Sequence, residues 1–156
     1  MSFLLMLEWV KLHQRQAEEI EPNNYFSTAD VLSNGTTMHG YSSKGAWDCF
    51  SVSTGGTETV LLSLAYCVLP NAGTIYYPFV TDSNGEEIEL TWERTEDGFG
   101  NRVYYTHVFL TSGTYYLGVE GYYEDVATEY ALYAYWQGMS YLENFAYDIY
   151  EDGFIS

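Results

Sequence analysis

The sequence contains few positively charged residues. Only 5 of its 156 residues are Lys or Arg, against 22 Asp or Glu, and the formal net charge is -17. A surface with this balance repels the phosphates of nucleic acids and of anionic membranes, so we exclude a nucleic-acid partner. The same field concentrates divalent cations near clustered carboxylates, although a strongly acidic surface can also serve solubility alone.

Groups suited to catalysis are also scarce. The three histidines, His13, His39 and His107, are far apart in the sequence and do not form the His-Glu-x-x-His pattern of zinc proteases. The sequence has no Gly-x-Ser-x-Gly nucleophile motif, and neither cysteine lies beside residues that would activate its thiol. We therefore predict that the protein is not an enzyme and has no catalytic residues.

The two cysteines, Cys49 and Cys67, raise the question of a disulfide. If Gly55-Gly56 forms the tip of a hairpin, the cysteines lie about five residues out of register on its two strands, far beyond the reach of a disulfide. We therefore expect two free thiols, which say little about the redox compartment.

No hydrophobic run is long enough to span a bilayer. The apolar segment Met1–Gln16 lacks the basic leader and the cleavage site of a signal peptide, and an acidic residue interrupts it. Phe3, Leu7 and Val10 share one helical face, so we predict that residues 1–18 contain a short amphipathic helix that docks on the domain or on a partner. A damaged or mis-started signal sequence is the alternative.

Tyrosine is abundant, with 17 residues in the chain, and aromatic residues favour β-structure. Alternating apolar and polar residues, separated by turns such as Asn84-Gly85, predict eight strands: Thr37–Tyr41, Trp47–Val52, Glu58–Tyr66, Thr74–Thr81, Glu86–Glu93, Val103–Leu110, Thr114–Glu120 and Glu129–Trp136. A single helical turn is expected within Tyr25–Leu32. About eight strands without an intervening helical pattern predict an all-β fold, an antiparallel β-sandwich of jelly-roll type over residues 19–136.

The last segment, residues 137–156, is an acidic and aromatic tail. Leu142, Phe145 and Ile149 have helical spacing, whereas Tyr147 and Ile149 alternate, so a closing helix, an added edge strand and an adhesive tail are all open. Either this tail or the N-terminal helix would be able to join two copies into a homo-oligomer.

The densest group of oxygen donors is Glu19-Ile-Glu-Pro-Asn-Asn24. Glu19 and Glu21 point the same way in an extended chain, and Pro22 favours an extended conformation for the residue before it. Calcium takes about six to eight oxygens from carboxylates, amides, carbonyls and water, and Asn23 and Asn24 would add theirs. The stretch therefore predicts a calcium site, and the alternative is a solvated acidic linker with a Pro-Asn turn.

An ordered set of motifs resembles the bacterial pre-peptidase C-terminal domain, a fold that includes the collagen-binding domains of clostridial collagenases. The motifs are Glu-x-Glu-x-Asn-Asn at residues 19–24, Ala29 and Leu32, Gly40, Asp48-x-Phe50, Gly113-x-Tyr115-Tyr116-x-x-Val119 and Tyr130-x-Leu132. The resemblance covers residues 19–136. It implies a β-sandwich module that is appended to secreted peptidases or other exported enzymes, has no catalytic activity of its own, and is extracellular or at the cell surface.

In calcium-binding members of this family, the acidic linker and the first core strand hold the metal. By position, the resemblance nominates five ligands: Glu19, Glu21, Asn23, Asn24 and Asp48. The sequence departs from that branch, because Gly45 replaces an acid and Phe50 replaces a tyrosine, and fewer ligands imply weaker binding. The alternative role for Asp48 is to cap backbone amides of a strand or turn, which needs no metal.

The excess of tyrosines points to a binding function. Six of them are more than the core of such a domain needs: Tyr104, Tyr116, Tyr122, Tyr123, Tyr133 and Tyr135. Because exposed tyrosines provide contact area at low entropic cost, we predict a module that contacts a protein or polysaccharide through them. The alternative is a structural or self-assembly domain with no soluble ligand, whose tyrosines pack against the N-terminal helix, the C-terminal tail or another copy.

Overall fold

The computed structural model describes residues 16–42, 47–56, 58–68, 78–120 and 128–139. These residues form eleven strands: β1 Gln16–Glu18, β2 Asp30–Val31, β3 Thr36–Ser42, β4 Trp47–Ser53, β5 Val60–Val68, β6 Phe79–Thr81, β7 Glu87–Ile88, β8 Glu93–Glu96, β9 Arg102–Leu110, β10 Thr114–Glu120 and β11 Thr128–Gly138. A 3-10 helix at Phe26–Thr28 lies where a single helical turn was predicted.

The strands form two sheets. The large sheet has six strands in the order β1-β3-β11-β5-β9-β8, and the small sheet has five in the order β2-β4-β10-β6-β7. Alternate residues of the central strands point inward, so that Leu62 and Leu64 of β5 and Phe50 and Val52 of β4 are fully buried. Because side chains of both sheets belong to one core cluster, the fold is a β-sandwich, as predicted.

The predicted all-antiparallel arrangement is wrong at one edge of each sheet. Strand β1 runs parallel to β3, and β2 runs parallel to β4, because the N-terminal segment lies alongside the strands that follow it and does not turn back through a hairpin. The predicted strand Glu86–Glu93 is two strands, β7 and β8, because the chain crosses there between the sheets while Leu90 and Trp92 pack on the core. The jelly-roll topology stays a prediction.

The sheets also separate the two cysteines. Strands β4 and β5 belong to different sheets, so the hairpin assumed around Gly55-Gly56 does not exist. Neither cysteine forms a disulfide, as expected. Strand alternation places Cys49 on the outer face of the small sheet and Cys67 on the outer face of the large sheet, with the whole sandwich between them.

Several predictions fall outside the described residues. Gln16 begins β1, and the rest of the predicted N-terminal helix lies outside them, as do Tyr122, Tyr123 and residues 140–156. Strand β11 extends to Gly138, two residues into the predicted tail. Among the helical residues that the structure describes, no segment has the length and apolar character needed to cross a membrane.

The prediction of exposed tyrosines is wrong for Tyr104 and Tyr133, which are only 6% and 8% exposed. The alternation of β9 turns Tyr104 into the core, where its ring lies 6.5 Å from that of Tyr66. Tyr133 packs on the outer face of the large sheet with Ala65 and Val103. Neither ring is therefore exposed enough to form part of a binding surface.

Candidate metal centre

The acidic stretch connects the two sheets at one edge of the sandwich. The amide of Glu19 donates to His39 O at 2.9 Å and so continues the pairing of β1 with β3. Four residues later, Asn23 O accepts from the amide of Cys49 in β4 at 2.8 Å. The segment from β1 through β2, residues 16–31, thus contacts both sheets, and we call it the strap.

Three carboxylates meet beneath the strap. One oxygen from each of Glu19, Glu21 and Asp48 lies within 4.8 Å of the other two. Asp48 is on the inward face of β4, like Phe50, and is 1% exposed, whereas Glu21 is exposed. Like charges this close repel one another, and burial strengthens the repulsion because little water screens it.

Few donors compensate this charge. The hydroxyl of Tyr130 donates to Asp48 Oδ2 at 2.7 Å, and the amide of Tyr41 donates to Glu19 Oε1 at 2.7 Å. Tyr130 reaches the cluster because Gly40 lies beneath its ring, where a Cβ atom would be 2.4 Å from Tyr130 Oη and 3.0 Å from Glu19 Cδ. A glycine at position 40 is therefore required for the tyrosine and the glutamate to approach Asp48.

Asn23 is completely buried beside the acids. Its Nδ2 donates to Glu19 Oε2 at 3.2 Å and to Asp30 Oδ2 at 3.1 Å, while its Oδ1 has no hydrogen-bond partner among the described residues. Asp30 Oδ2 also accepts from the amide of Ile20 at 2.8 Å. A fourth carboxylate and an unsatisfied amide oxygen thus belong to the same group.

The environment changes the protonation of the cluster. Burial raises the pKa of Asp48 to about 7; the hydrogen bond from Tyr130 opposes this change, and the charges of Glu19, Glu21 and Asp30 add to it. Burial also raises the pKa of Glu19, against the hydrogen bonds from Tyr41 and Asn23. Without a cation, the cluster therefore holds on to protons that ordinary carboxylic acids would release.

The structure places the five predicted ligands differently. It brings Glu19, Glu21 and Asp48 together, with Asn23 buried against Glu19. Asn24 is exposed and lines a cavity on the outer face of the small sheet. Asp30 was missed, because its position depends on the short β2 strand, whose pairing with β4 leaves no periodic pattern in the sequence. Nothing in the spacing of the acids would have identified it.

The donor set suits a hard cation. All candidate ligands are oxygens, and carboxylate and amide oxygens are what calcium prefers over the nitrogen and sulfur donors that favour zinc or copper. The carboxamide of Asn23 adds a second indication. With Nδ2 toward the acids, Oδ1 has no hydrogen-bond partner among the residues that the structure describes. With Oδ1 toward the acids, this oxygen would add to the repulsion unless a cation lies between them.

No family model matches this chain, and no curated protein matches it. Among solved structures, it is similar to the pre-peptidase C-terminal domain of collagenase from Bacillus anthracis, with 13% identity and a TM-score of 0.47, over 78% of this chain and 95% of that chain. The likeness is to the same kind of domain that the sequence motifs resemble. A likeness at this level of identity does not indicate function. The metal centre is therefore inferred from the geometry of the acid cluster alone.

Proposed function

We propose that the protein is a non-catalytic accessory module of an exported bacterial protein, in which calcium fastens the strap to the sandwich. One observation carries the proposal: Glu19, Glu21 and Asp48 converge beside a buried amide oxygen of Asn23 that has no hydrogen-bond partner in the described part of the chain. The resemblance of the motifs to the pre-peptidase C-terminal domain supports an extracellular or cell-surface location, where calcium is abundant.

Glu19, Glu21 and Asp48 would hold the ion, with Asn23 as a further oxygen donor. Calcium supplies positive charge where these acids repel one another, so the strap is held against both sheets. The resemblance adds that this linker changes conformation when calcium binds. The metal then has two roles. It holds the strap in place, and it changes the conformation of the strap when the protein is exported from a calcium-poor compartment.

Calcium that binds only the folded protein stabilises it by RT ln(1 + [Ca]/Kd), which is about 2.7 kcal/mol at a hundred times Kd. For a domain of this length that corresponds to roughly 5 to 11 °C in melting temperature. Because Gly45 and Phe50 take the place of two oxygen-bearing residues of the calcium-binding branch, we expect an affinity suited to millimolar calcium.

Thermal melts in millimolar calcium and in chelator test the proposal. We expect calcium to raise the melting temperature of the wild type and to leave that of Glu19→Gln/Glu21→Gln unchanged. A matched control is Glu86→Gln/Glu87→Gln, which removes the same charge from two exposed positions at the start of β7 and should keep the calcium response. A wild type that melts at one temperature in both solutions would contradict the metal centre.

The second part of the proposed function is binding of a protein or polysaccharide. Large aromatic side chains that are exposed among the described residues support it: Tyr25, Phe26, Tyr41, Trp47, Phe99, Phe109 and Tyr135. Aromatic residues are enriched at interfaces because they bury a large area with little loss of side-chain freedom. A glycan and matrix-protein array, read together with sedimentation, distinguishes this role from the structural alternative, which predicts a stable dimer and no ligand.

A further inference from the structure

A cavity of about 560 Å³ lies on the outer face of the small sheet, next to the metal centre. Its lining comes from the strap and from strands β4 and β6: Asn24, Tyr25, Phe26, Trp47, Cys49 and Phe79. We call it the aromatic slot. The two backbone segments that hold the acid cluster also build the slot, because Asp48 points inward from β4 while Trp47 and Cys49 point outward.

Ring contacts fix the walls of the slot. On one side, Phe26 stacks on Tyr116 with centroids 4.5 Å apart and planes 8° from parallel. On the other side, Trp47 meets Phe79 edge to face at 5.0 Å. Both are favourable aromatic geometries, so the walls are formed before any ligand binds.

A glycine makes room for the second wall. The ring of Phe79 lies over Gly118, where a Cβ atom would be 2.0 Å from Phe79 Cζ. Because position 118 has no side chain, the ring occupies the space over it, beside Cys49, to which Gly118 is paired. The slot is therefore a consequence of residue choice on three neighbouring strands.

The slot is open to ligands. Tyr25 is 70% exposed, Phe26 38% and Trp47 37%, which is unusual for neighbouring large aromatic residues. Asn24 adds an amide oxygen that can accept hydrogen bonds. A flat ligand group would match this lining if its two faces stack on rings and its edge carries hydrogen-bond donors.

The charge around the slot selects among such groups. The whole chain carries a formal charge of -17, and the described residues that line the slot include no cation. Aromatic faces in a negative field attract cations, and a guanidinium also stacks flat on rings.

We propose that the aromatic slot binds an arginine side chain in a basic segment of a partner protein. The inference rests on the proposed function as a binding module and names its partner class. A neutral sugar would gain ring stacking but nothing from the negative charge of the protein, so the observations favour a basic polypeptide.

An NMR titration with acetyl-Gly-Ser-Arg-Ser-Gly-amide tests the proposal, with the same peptide carrying citrulline as the neutral counterpart. In millimolar calcium, the arginine peptide should shift the indole N–H resonance of Trp47, which Trp47→Phe identifies. Citrulline should weaken binding about tenfold, because it keeps the shape and removes the charge. Phe26→Ala should weaken it by a similar factor, and so should Trp47→Ala, for which the backbone amide resonances of the slot replace the missing indole signal.

Phe109→Ala is the matched control. It removes an aromatic side chain that is 61% exposed on the opposite sheet and should leave affinity for the arginine peptide unchanged. Melting curves confirm that each variant is folded. Where Trp47→Ala does not fold, Trp47→Leu removes the ring while keeping an apolar side chain and gives the same expectation.

The outcomes distinguish the two levels of the proposal. Equal affinity for the arginine and citrulline peptides, or unchanged affinity in the slot variants, overturns the arginine slot and leaves the binding module intact. The arginine slot is also overturned if cellohexaose shifts the Trp47 resonance and the arginine peptide does not. That result would favour a polysaccharide ligand. A protein that binds neither peptide nor any ligand on the array and sediments as a dimer overturns the binding module itself.

Discussion

Two buried aspartates in this domain differ in how the protein satisfies them. Asp97, in the turn between β8 and β9, is 6% exposed and accepts hydrogen bonds from Phe99 N at 2.8 Å, Asn101 N at 3.0 Å and Asn101 Nδ2 at 2.8 Å. Asp48 is 1% exposed and accepts a hydrogen bond from the Tyr130 hydroxyl, while other carboxylates lie beside it.

The difference lies in the source of the compensating groups. The Asp97 carboxylate lies inside a short loop, and the amides of that loop donate the hydrogen bonds that stabilise its charge. The acids that surround the Asp48 carboxylate come from distant parts of the chain, and few local donors balance their charge. Burial of an acid thus indicates a candidate metal centre only where local donors do not already satisfy it.

The largest expected change in stability follows substitution of Asp97, which accepts hydrogen bonds from its own loop. Asp97→Ala removes the acceptor of three hydrogen bonds and should lower the free energy of unfolding by about 3 kcal/mol. Urea denaturation should give the same loss in calcium and in chelator, because the loop is complete without metal. Asp97→Asn, which keeps an acceptor oxygen, should lose less. If the loss of stability in Asp97→Ala depended on calcium, the proposed difference between Asp97 and Asp48 would be wrong.

Asp48→Asn should show the opposite dependence. In chelator, we expect it to be at least as stable as the wild type, because the substitution removes a repelling charge and keeps an oxygen that accepts from Tyr130. In calcium at a hundred times Kd, it should lack the wild type's gain of about 2.7 kcal/mol. Paired melts measure both values, and an equal destabilisation in the two solutions would mean that Asp48 only caps its neighbours.

The stability of the metal-free protein should depend on pH. The pKa of Asp48 is raised from 3.8 to about 7, so the folded protein binds this proton more tightly than the unfolded chain does. The contribution is therefore complete below about pH 4 and is lost as the pH rises toward 7. Urea denaturation in chelator should show stability falling over this range more steeply for the wild type than for Asp48→Asn. Parallel profiles of the two proteins would contradict it.

The smallest effect concerns the donor to Asp48. Tyr130→Phe should cost about 1 kcal/mol and move the calcium response to higher concentration, because Asp48 then releases its proton less readily. Tyr115→Phe is the control, since its hydroxyl donates to Thr111 O away from the metal centre. It should cost a similar amount and leave the calcium midpoint unchanged. A shift of the midpoint in both variants would show that the effect is general.

Strands with a strong local pattern could be predicted from the sequence. The predicted strand Val103–Leu110 is observed as Arg102–Leu110, since alternation and flanking turns are properties of the segment itself. Strands β1 and β2 were missed, because segments of 3 and 2 residues have no period and exist only through their pairing with β3 and β4. Those two strands are also what makes the sheets mixed.

The candidate site was predictable to the same extent. The spacing of Glu19 and Glu21 indicated that they act together, and the resemblance of motifs added Asp48. Asp30 could not be found, because its place depends on β2, and the buried faces of Tyr104 and Tyr133 depend on register and on what covers each sheet. Composition gives the number of tyrosines but not the side of the sheet on which each one lies.

The strap has a consequence for solubility. It covers the outer edges of β3 and β4, the neighbours of its two strands, whereas the opposite edges are formed by β8, with the charged sequence Glu-Arg-Thr-Glu, and by the two-residue β7. Short or charged edges resist pairing with other molecules, but a bare β3 or β4 would offer seven residues of unpaired backbone to another chain. Detachment of the strap would therefore expose a template for intermolecular sheets, and a cation that fastens the strap would oppose aggregation as well as unfolding.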